Sequence, residues 1–288
     1  MPSQPLPLSQ CKSITLDEFV RLDKTLYAME AKVDGWRIQM EVDPGRVTAW
    51  TRTNHDASGK VVRAETLLRL LADMKQMSFR LDGEVVYLDK NGDPDFNFTS
   101  RCMGSHTPTC VDKQHDEERF LSYVIFDVLR VDNSDMRGMP YEHRRGILDA
   151  LIPEELEYVK VLDAWDPSLE QHGLNIEKFQ EGSVLKVLDA PYAGKRHKSW
   201  LKLKETETED VTIIGYKPGQ GKFKDLIGAI TFKAANGVVG NCSGMDDETR
   251  IYITDHKEAL LGKVIEVKHY GLLVDGYRHP QFIRFRDE

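Results

Sequence analysis

Residues 30–37 read Glu-Ala-Lys-Val-Asp-Gly-Trp-Arg, with one lysine, Lys32, ahead of an Asp-Gly pair. An extended apolar run covers residues 26–31, and a second strand-like run covers residues 36–42. Asp-Gly between two such runs is a strong turn signal, so the pattern predicts a β-hairpin with Lys32 at its mouth. Because a lysine amine is mostly protonated at neutral pH, it needs desolvation or nearby cations to act as a nucleophile. The stretch therefore suggests covalent catalysis by Lys32.

The composition is that of a globular protein, with 288 residues, 40% hydrophobic and 30% charged. No apolar run approaches the roughly 20 residues needed to cross a bilayer, and the N-terminus lacks the charge pattern of a secretory signal. The four cysteines are scattered and have no zinc-site spacing, which predicts reduced thiols in a cytoplasmic protein. They are Cys11, Cys102, Cys110 and Cys242.

The net charge of -8 argues mildly against a passive nucleic-acid coat. It does not exclude an enzyme with locally clustered cations, because phosphate binding is a local electrostatic effect. One basic cluster covers residues 195–198 and continues at Lys202 and Lys204. A second, looser group consists of Lys217, Lys222 and Lys224. Taken alone, each is best interpreted as a solvated charge run.

Hydrophobic periodicity predicts a domain of interspersed strands and helices for residues 1–205. A capping box at Thr15 and Glu18 opens the first helix. Residues 99–118 are polar and are predicted to form an irregular loop. Strands are predicted at 36–42, 46–51, 80–88, 120–131, 183–187 and 200–203, and helices around 64–71, 141–151 and 168–179.

Residues 205–210 contain no apolar side chain, so residues 206–210 are predicted to be a hinge linker. Five short strand-like runs follow in residues 211–288, with a helical stretch before the fourth. This order is typical of a small oligonucleotide-binding (OB) β-barrel. The predicted strands are 211–216, 226–232, 237–240, 264–270 and 281–285, and the predicted helix is 246–260.

Several short motifs occur in a fixed order ahead of the predicted barrel. They are Lys32-x-Asp34-Gly35-x-Arg37, Arg52, Asp82-Gly83-Glu84, Phe126-Asp127, Glu181-Gly182-Ser183-Val184-Leu185-Lys186 and Trp200-Leu201-Lys202-Leu203-Lys204. The set resembles the covalent nucleotidyltransferases, and most closely the ATP-dependent DNA ligases of minimal, phage-like or bacterial type. A lone K-x-D-G-x-R match has a chance probability on the order of a few in a thousand, and five more elements in order make coincidence a poor explanation.

The resemblance implies an α+β fold. Residues 1–205 would form an ATP-grasp-like nucleotidyltransferase domain with antiparallel sheets and flanking helices, and residues 211–288 an OB-fold barrel. It assigns Lys32 as the nucleophile that attacks the α-phosphate of ATP, forming lysyl-AMP and releasing pyrophosphate. Glu30 matches the position that contacts adenine, Arg37 the arginine that holds phosphate, and Arg52 an arginine near the ribose and the nick.

The resemblance also supplies the ribose, base and metal contacts. Glu84 is similar to the glutamate that binds the ribose or supports a metal, and Glu181 to the metal-linked carboxylate. The implied cofactors are ATP and Mg²⁺, with Mn²⁺ as an alternative, because Mg²⁺ binds through one or two carboxylates plus substrate phosphates. Phe126 resembles the aromatic residue that stacks on the purine, although in an apolar strand it would alone be interpreted as core.

Lys202 and Lys204 alternate with two leucines, so both point to one face of a strand. By the resemblance they hold the α-phosphate opposite Lys32, together with Lys186, and help Lys32 to lose its proton. Residues 278–288 resemble the family's last motif.

Within that motif, Arg284 and Arg286 are expected to orient pyrophosphate when the barrel closes over the pocket. Many members carry a lysine at the position where Glu288 stands here.

The expected substrate is nicked duplex DNA, sealed by a monomer in a bacterial or phage-infected cytoplasm. Without an N-terminal DNA-binding domain, residues 99–118 and 195–198 are expected to grip the duplex. The alternatives are an RNA ligase, an mRNA guanylyltransferase or a non-catalytic OB-type nucleic-acid-binding protein. Glu181-Gly182 resembles the ligase motif rather than the Asp-Gly of capping enzymes. An NAD-dependent ligase is disfavoured because the four-cysteine zinc module is missing and only 31 residues precede Lys32.

Overall fold

The chain divides into two compact units, Met1–Lys204 and Glu205–Glu288. The computed structural model describes residues 4–154, 156–179, 181–204, 207–269, 272–273, 276–277 and 279–286.

The first unit contains two β-sheets with helices packed around them. Its strands are β1 (Gln10–Ile14), β2 (Tyr27–Ala31), β3 (Trp36–Asp43), β4 (Arg46–Thr51), β5 (Phe79–Val86), β6 (Ser122–Val131), β7 (Ser134–Asp135), β8 (Val159–Val161), β9 (Ala164–Trp165), β10 (Ser183–Val187) and β11 (Arg196–Leu203). Its helices are α1 (Leu16–Arg21), α2 (Val62–Lys75), α3 (Phe96–Met103), α4 (Thr107–Asp116), α5 (Tyr141–Leu151) and α6 (Leu169–Phe179). The predicted capping box is confirmed, because the Thr15 N–H donates to the Glu18 carboxylate and the Glu18 N–H to the Thr15 hydroxyl.

The five-stranded sheet has the order β1-β11-β10-β2-β9, and β1 is parallel to β11. The six-stranded sheet has the order β4-β3-β5-β6-β7, with β8 also paired to β6. One large apolar core, which includes Ile38, Leu68, Phe79 and Leu148, lies against the six-stranded sheet. Apart from β1–β11 and β6–β8, the pairs are antiparallel, as the resemblance implies.

The predicted hairpin around Lys32 is wrong. β2 lies between β10 and β9 in one sheet, whereas β3 lies between β4 and β5 in the other. Both edges of each strand are therefore occupied, and the strands cannot pair with each other. Gly35 is needed in the crossover because a Cβ there would lie 2.3 Å from the Val85 carbonyl oxygen. Lys32 thus sits where the chain passes from one sheet to the other.

The irregular loop predicted for residues 99–118 is also wrong, since most of this segment is helical in α3 and α4. Asp95 caps α3 by accepting from the Phe98 N–H at 2.9 Å, and Pro108 occupies the first turn of α4. Phe98 and Cys102, four residues apart, are both buried. Few apolar residues were enough to anchor these helices, so the polar composition misled the prediction.

The second unit is an OB-type barrel. Its strands are β12 (Glu207–Pro218), β13 (Ile227–Ala234), β14 (Val239–Cys242), β15 (Val264–His269), β16 (Leu272–Leu273), β17 (Gly276–Tyr277) and β18 (Gln281–Phe285), and its helices are α7 (Asp247–Asp255) and α8 (Lys257–Leu260). The main sheet has the order β14-β13-β12-β15-β18. A parallel bridge between Ser243 and Gln281 joins its two ends, and the Phe282 N–H donates to the Ser243 carbonyl at 2.7 Å. The predicted order of five strands with a helix before the fourth main strand is confirmed.

The predicted linker needs a correction. Residues 207–210 are the first part of β12 and pair with β15, from Glu207 opposite His269 to Asp210 opposite Glu266. Their polar side chains are mostly exposed while their backbone is paired, a distinction that composition does not reveal. Residue 206 lies outside the described residues.

In the part of the chain that the structure describes, no helix is long and apolar enough to span a membrane. All four cysteines are free thiols, and three of them are buried.

Candidate active site

A cavity of about 320 Å³ opens in the first unit and is lined from both of its sheets. Its volume lies in the range of roughly 300–1,000 Å³ that is typical of small-molecule sites. All ten site residues that the sequence predicts for the first unit line it. They are Glu30, Lys32, Arg37, Arg52, Glu84, Phe126, Glu181, Lys186, Lys202 and Lys204.

Lys32 lies at the centre of a small ionic network. Its Nζ is 2.5 Å from Oε2 of Glu181, and Lys204 donates to the other carboxylate oxygen. The Lys32 backbone N–H also donates to the Gly182 carbonyl at 2.8 Å. Gly182 has φ +119°, and a Cβ there would lie 2.2 Å from the Leu203 carbonyl oxygen, so only glycine fits this turn. The nearest partner of the Lys32 amine is thus a carboxylate, where the sequence led us to expect cations.

Glu181 is held in its charged form. Burial acts to raise the pKa of this carboxyl group, but the charges of Lys32 and Lys204 outweigh burial and hold it below its ordinary value. Glu181 is therefore an anion at neutral pH that fixes two lysine side chains beside the cavity.

Glu84 is in the opposite protonation state from Glu181. Burial raises the pKa of this carboxyl group to about 8, against the influence of Lys32 and Arg37, and the charge of Glu181 adds to the rise. In the register of β3 and β5, Glu84 lies opposite Arg37. Among the acids that line the cavity, Glu181 is therefore charged while Glu84 retains its proton near neutral pH, a combination typical of functional sites.

We expect Glu84→Gln to stabilise the metal-free protein at alkaline pH. Folded Glu84 keeps its proton up to about pH 8, whereas the unfolded group releases it near its ordinary pKa of 4.5. Between these values the unfolded state binds fewer protons, so wild-type stability falls as the pH rises, and glutamine removes that loss. Because the side chain is partly exposed, we expect a gain of roughly 1–2 kcal/mol at pH 8. Urea unfolding in EDTA at pH 4 and pH 8 measures it, and an equal difference at both values would contradict the assignment.

Most of the N–H donors of the Arg37 guanidinium are hydrogen-bonded to protein acceptors. Its Nε and Nη2 donate to the two Asp82 oxygens at 3.1 and 2.6 Å, and its Nη1 donates to the Ser9 carbonyl at 2.6 Å. The guanidinium carbon also lies 5.3 Å from the Phe126 ring centroid and 5.5 Å from that of Trp200. The guanidinium fork, which the resemblance assigns to phosphate, therefore binds Asp82 in this structure.

Lys186 was expected to bind phosphate with Lys202 and Lys204, but its amine contacts protein groups instead. Its Nζ lies 2.9 and 2.7 Å from the two Glu30 oxygens and 2.7 Å from the Phe126 carbonyl oxygen. An ammonium group has three N–H donors, so these contacts use all of them. Tyr141 donates to Glu30 at 2.5 Å as well. Lys186 and Glu30 thus form a buried pair in the cavity wall, and burial raises the pKa of Glu30 although Lys186 opposes the rise.

Aromatic side chains form another part of the cavity wall. Phe126 lines the cavity and makes an edge contact with Trp200 at 6.0 Å, and Trp200 makes one with Tyr192 at 5.6 Å. Trp200 was not among the predicted site residues. Its spacing could have identified it, because in a strand Trp200 shares a face with Lys202 and Lys204.

Two predicted cations remain uncommitted. Arg52 and Lys202 line the cavity, and among the described residues neither side chain makes a hydrogen bond or ion pair with the protein. Arg196, which was predicted only as part of a basic cluster, also lines the cavity, and its guanidinium is 3.4 Å from the Gln10 side chain. Cys11 and Val184 also line the cavity, although neither was predicted as a site residue.

Arg284 and Arg286 lie in the second unit. Arg284 Nε is 2.7 Å from Glu266, and Arg286 Nε is 2.7 Å from Asp210. Residues 278, 287 and 288 of the predicted terminal motif lie outside the described residues.

Two acidic side chains of the cavity fit a metal that arrives with a nucleotide. Among the described residues there is no cluster of three or more His, Cys, Asp or Glu side chains that could hold an ion alone. Glu84 and Glu181 are the two acids beside Lys32, and Mg²⁺ commonly uses one or two carboxylates together with substrate phosphates.

The comparisons with known proteins agree with this arrangement. Residues 7–204 match the family model "ATP dependent DNA ligase domain", and residues 218–286 match "DNA ligase OB-like domain". A probable DNA ligase of Streptomyces avermitilis is 35% identical over 205 residues, which are 68% of this chain and 38% of the relative. A probable DNA ligase of Streptomyces coelicolor is 32% identical over 260 residues, which are 86% of this chain and 49% of that relative. The chain thus spans half or less of these relatives' length.

Among solved structures, a Lig E DNA ligase has a TM-score of 0.71 at 18% identity, covering 97% of this chain and 98% of that one. This likeness shows a shared ligase nucleotidyltransferase and OB fold. With a family model covering residues 7–204, the chain belongs to the ATP-dependent DNA ligase family.

Proposed function

We propose that this chain seals nicks in duplex DNA at the expense of ATP. The observation that carries the proposal is the Lys32 amine, which lies in a nucleotide-sized cavity and is paired with Glu181 beside Lys204. A lysine on the surface would have no cavity, and a purely structural ion pair would not be surrounded by uncommitted cations. The family membership supports the same reaction class.

The proposed reaction has three transfers. The Lys32 amine, after losing a proton, attacks the α-phosphorus of ATP, a P–N bond forms, and the bond to pyrophosphate breaks. The 5′-phosphate of the nick then displaces lysine and takes the AMP, and the 3′-hydroxyl finally displaces the AMP to form the phosphodiester. Each step is an in-line phosphoryl or nucleotidyl transfer, in which positioning and charge stabilisation do most of the catalysis.

Most of the predicted site residues have a proposed part in this reaction. Lys202, Lys204 and Arg52 would stabilise negative charge on the phosphates, and Phe126 would stack on the purine beside Glu30. Glu84 and Glu181 would hold Mg²⁺, which supplies charge neutralisation at the phosphates. Arg284 and Arg286 are proposed to orient the leaving pyrophosphate.

The proposed partner is nicked duplex DNA bound by a monomer in the cytoplasm. Exposed cations of β11, Arg196 and Lys198, are proposed to contact the DNA backbone. Such contacts release counterions, so binding should weaken steeply as salt increases.

We expect the protein to become labelled by [α-³²P]ATP and Mg²⁺ but not by [α-³²P]GTP. The label should survive denaturing electrophoresis, resist alkali and be lost in acid, as a phosphoramidate is. Addition of unlabelled nicked DNA should chase the label from the protein and yield sealed product. Labelling by GTP alone would indicate a guanylyltransferase, sealing of nicked RNA alone an RNA ligase, and DNA binding without any label a non-catalytic OB-type protein.

A further inference from the structure

Arg37 has almost no hydrogen-bonding capacity left for a ligand. A guanidinium group has five N–H donors. Among the described residues, Asp82 takes two, the Ser9 carbonyl takes one, and the Tyr192 hydroxyl takes one at 3.3 Å. The remaining N–H is on Nη1. Arg37 lines the cavity, so it can offer a single donor there, in a direction set by its other four contacts.

Tyr192 is the residue that completes this arrangement. Its hydroxyl donates to Oδ2 of Asp82 at 2.7 Å while it accepts from Arg37. Asp82 is fully buried, so its oxygens depend on protein donors alone. Tyr192 is itself held from outside the cavity, because its backbone N–H donates to the Arg137 carbonyl at 2.8 Å and its ring packs edge-on against Trp200.

We propose that Tyr192 is a positioning residue for adenylation, which acts through Asp82 to aim the last N–H of Arg37 at a phosphate oxygen of the bound nucleotide. The inference rests on the proposed function. Without the hydroxyl, Asp82 loses one of three donors and Arg37 loses one of its four anchors, so the guanidinium can rotate about its remaining contacts. Because the developing charge is stabilised only by donors already in place, the loss should fall on the chemical step rather than on ATP binding.

The test is Tyr192→Phe, which removes one oxygen and keeps the ring. Single-turnover labelling of the full chain by ATP should show a rate at saturating ATP that is about tenfold lower, with half-saturating ATP changed less than about threefold. Tyr277→Phe is the matched control. The Tyr277 hydroxyl also donates to a carboxylate, Glu209, but it lies in the second unit. This control should label at the wild-type rate.

A double-mutant cycle separates positioning from general destabilisation. If Tyr192 acts through Asp82, adding Tyr192→Phe to Asp82→Asn should slow labelling by less than about twofold further. Multiplicative losses, or a Tyr192→Phe rate equal to wild type, would overturn the inference. Absence of label on the wild-type protein would instead overturn the proposed function. Melting temperatures show whether the variants that carry Asp82→Asn fold. If they do not, the labelling rate of Tyr192→Phe, compared with wild type, decides.

Discussion

Lys32→Arg should reduce covalent labelling by ATP at least about a thousandfold while the protein remains folded. Arginine keeps the positive charge, so it retains an ionic partner for Glu181. Its guanidinium is always protonated and is not a nucleophile at neutral pH, so the P–N bond cannot form. The variant therefore removes the proposed chemistry while leaving the local charge balance intact. Denaturing electrophoresis with labelled ATP and Mg²⁺ measures the loss.

Lys60→Arg is a suitable control for the same exchange. Lys60 is also partly buried, and its Nζ donates to the Met103 and Ser105 carbonyls at 2.9 and 2.7 Å, outside the cavity lining. It should label at the wild-type rate. The Lys32→Arg variant should still seal nicks that already carry AMP on the 5′-phosphate, because only the first two of the three transfers involve the Lys32 amine. Retention of label by Lys32→Arg would remove this lysine from the mechanism.

The order of the motifs along the chain predicted which residues line the same cavity. It did not predict the hydrogen-bond and ion-pair partners of each residue. All ten predicted residues of the first unit line one cavity, since the motifs were recognised as a set. The hairpin failed because an Asp-Gly signal is local, whereas the pairing of β2 and β3 depends on strands far away in the sequence. No local pattern shows that β2 will find β10, which begins more than 150 residues later.

The sequence also did not reveal which charged side chains form ion pairs with each other. Lys186 and Arg37 were both assigned to phosphate from their identity as cations, yet each is neutralised by a buried acid from a distant strand or segment, Glu30 and Asp82 respectively. A sequence states the charge of a side chain but not how many of its donors remain free after folding. The uncommitted cations, Arg52 and Lys202, became distinguishable from the others only when those contacts were counted.

Glu181→Gln should reduce labelling by about a hundredfold and also destabilise the fold. The substitution leaves two ammonium groups, those of Lys32 and Lys204, without their shared anion, and it removes a proposed metal ligand. Breaking a buried ion pair costs about 3–5 kcal/mol, but both lysines are partly exposed, so we expect a loss of about 2 kcal/mol at pH 7. Urea unfolding measures the stability, and single-turnover labelling under fully folded conditions measures the rate.

The destabilisation should depend on pH with a defined sign. The folded pKa of Glu181 is depressed below its ordinary value of 4.5. Its contribution to stability is therefore present above pH 4.5 and is lost as the pH falls through the folded pKa. The wild-type advantage over Glu181→Gln should therefore shrink in acid. Glu41→Gln is a close control: Glu41 is 8% exposed, as Glu181 is, and it likewise bridges two cations, Arg80 and Arg130, outside the cavity lining. It should lose comparable stability and keep its labelling rate, because only at Glu181 does the anion also hold the nucleophile. Equal losses of rate in the two variants would show that Glu181 serves the fold alone.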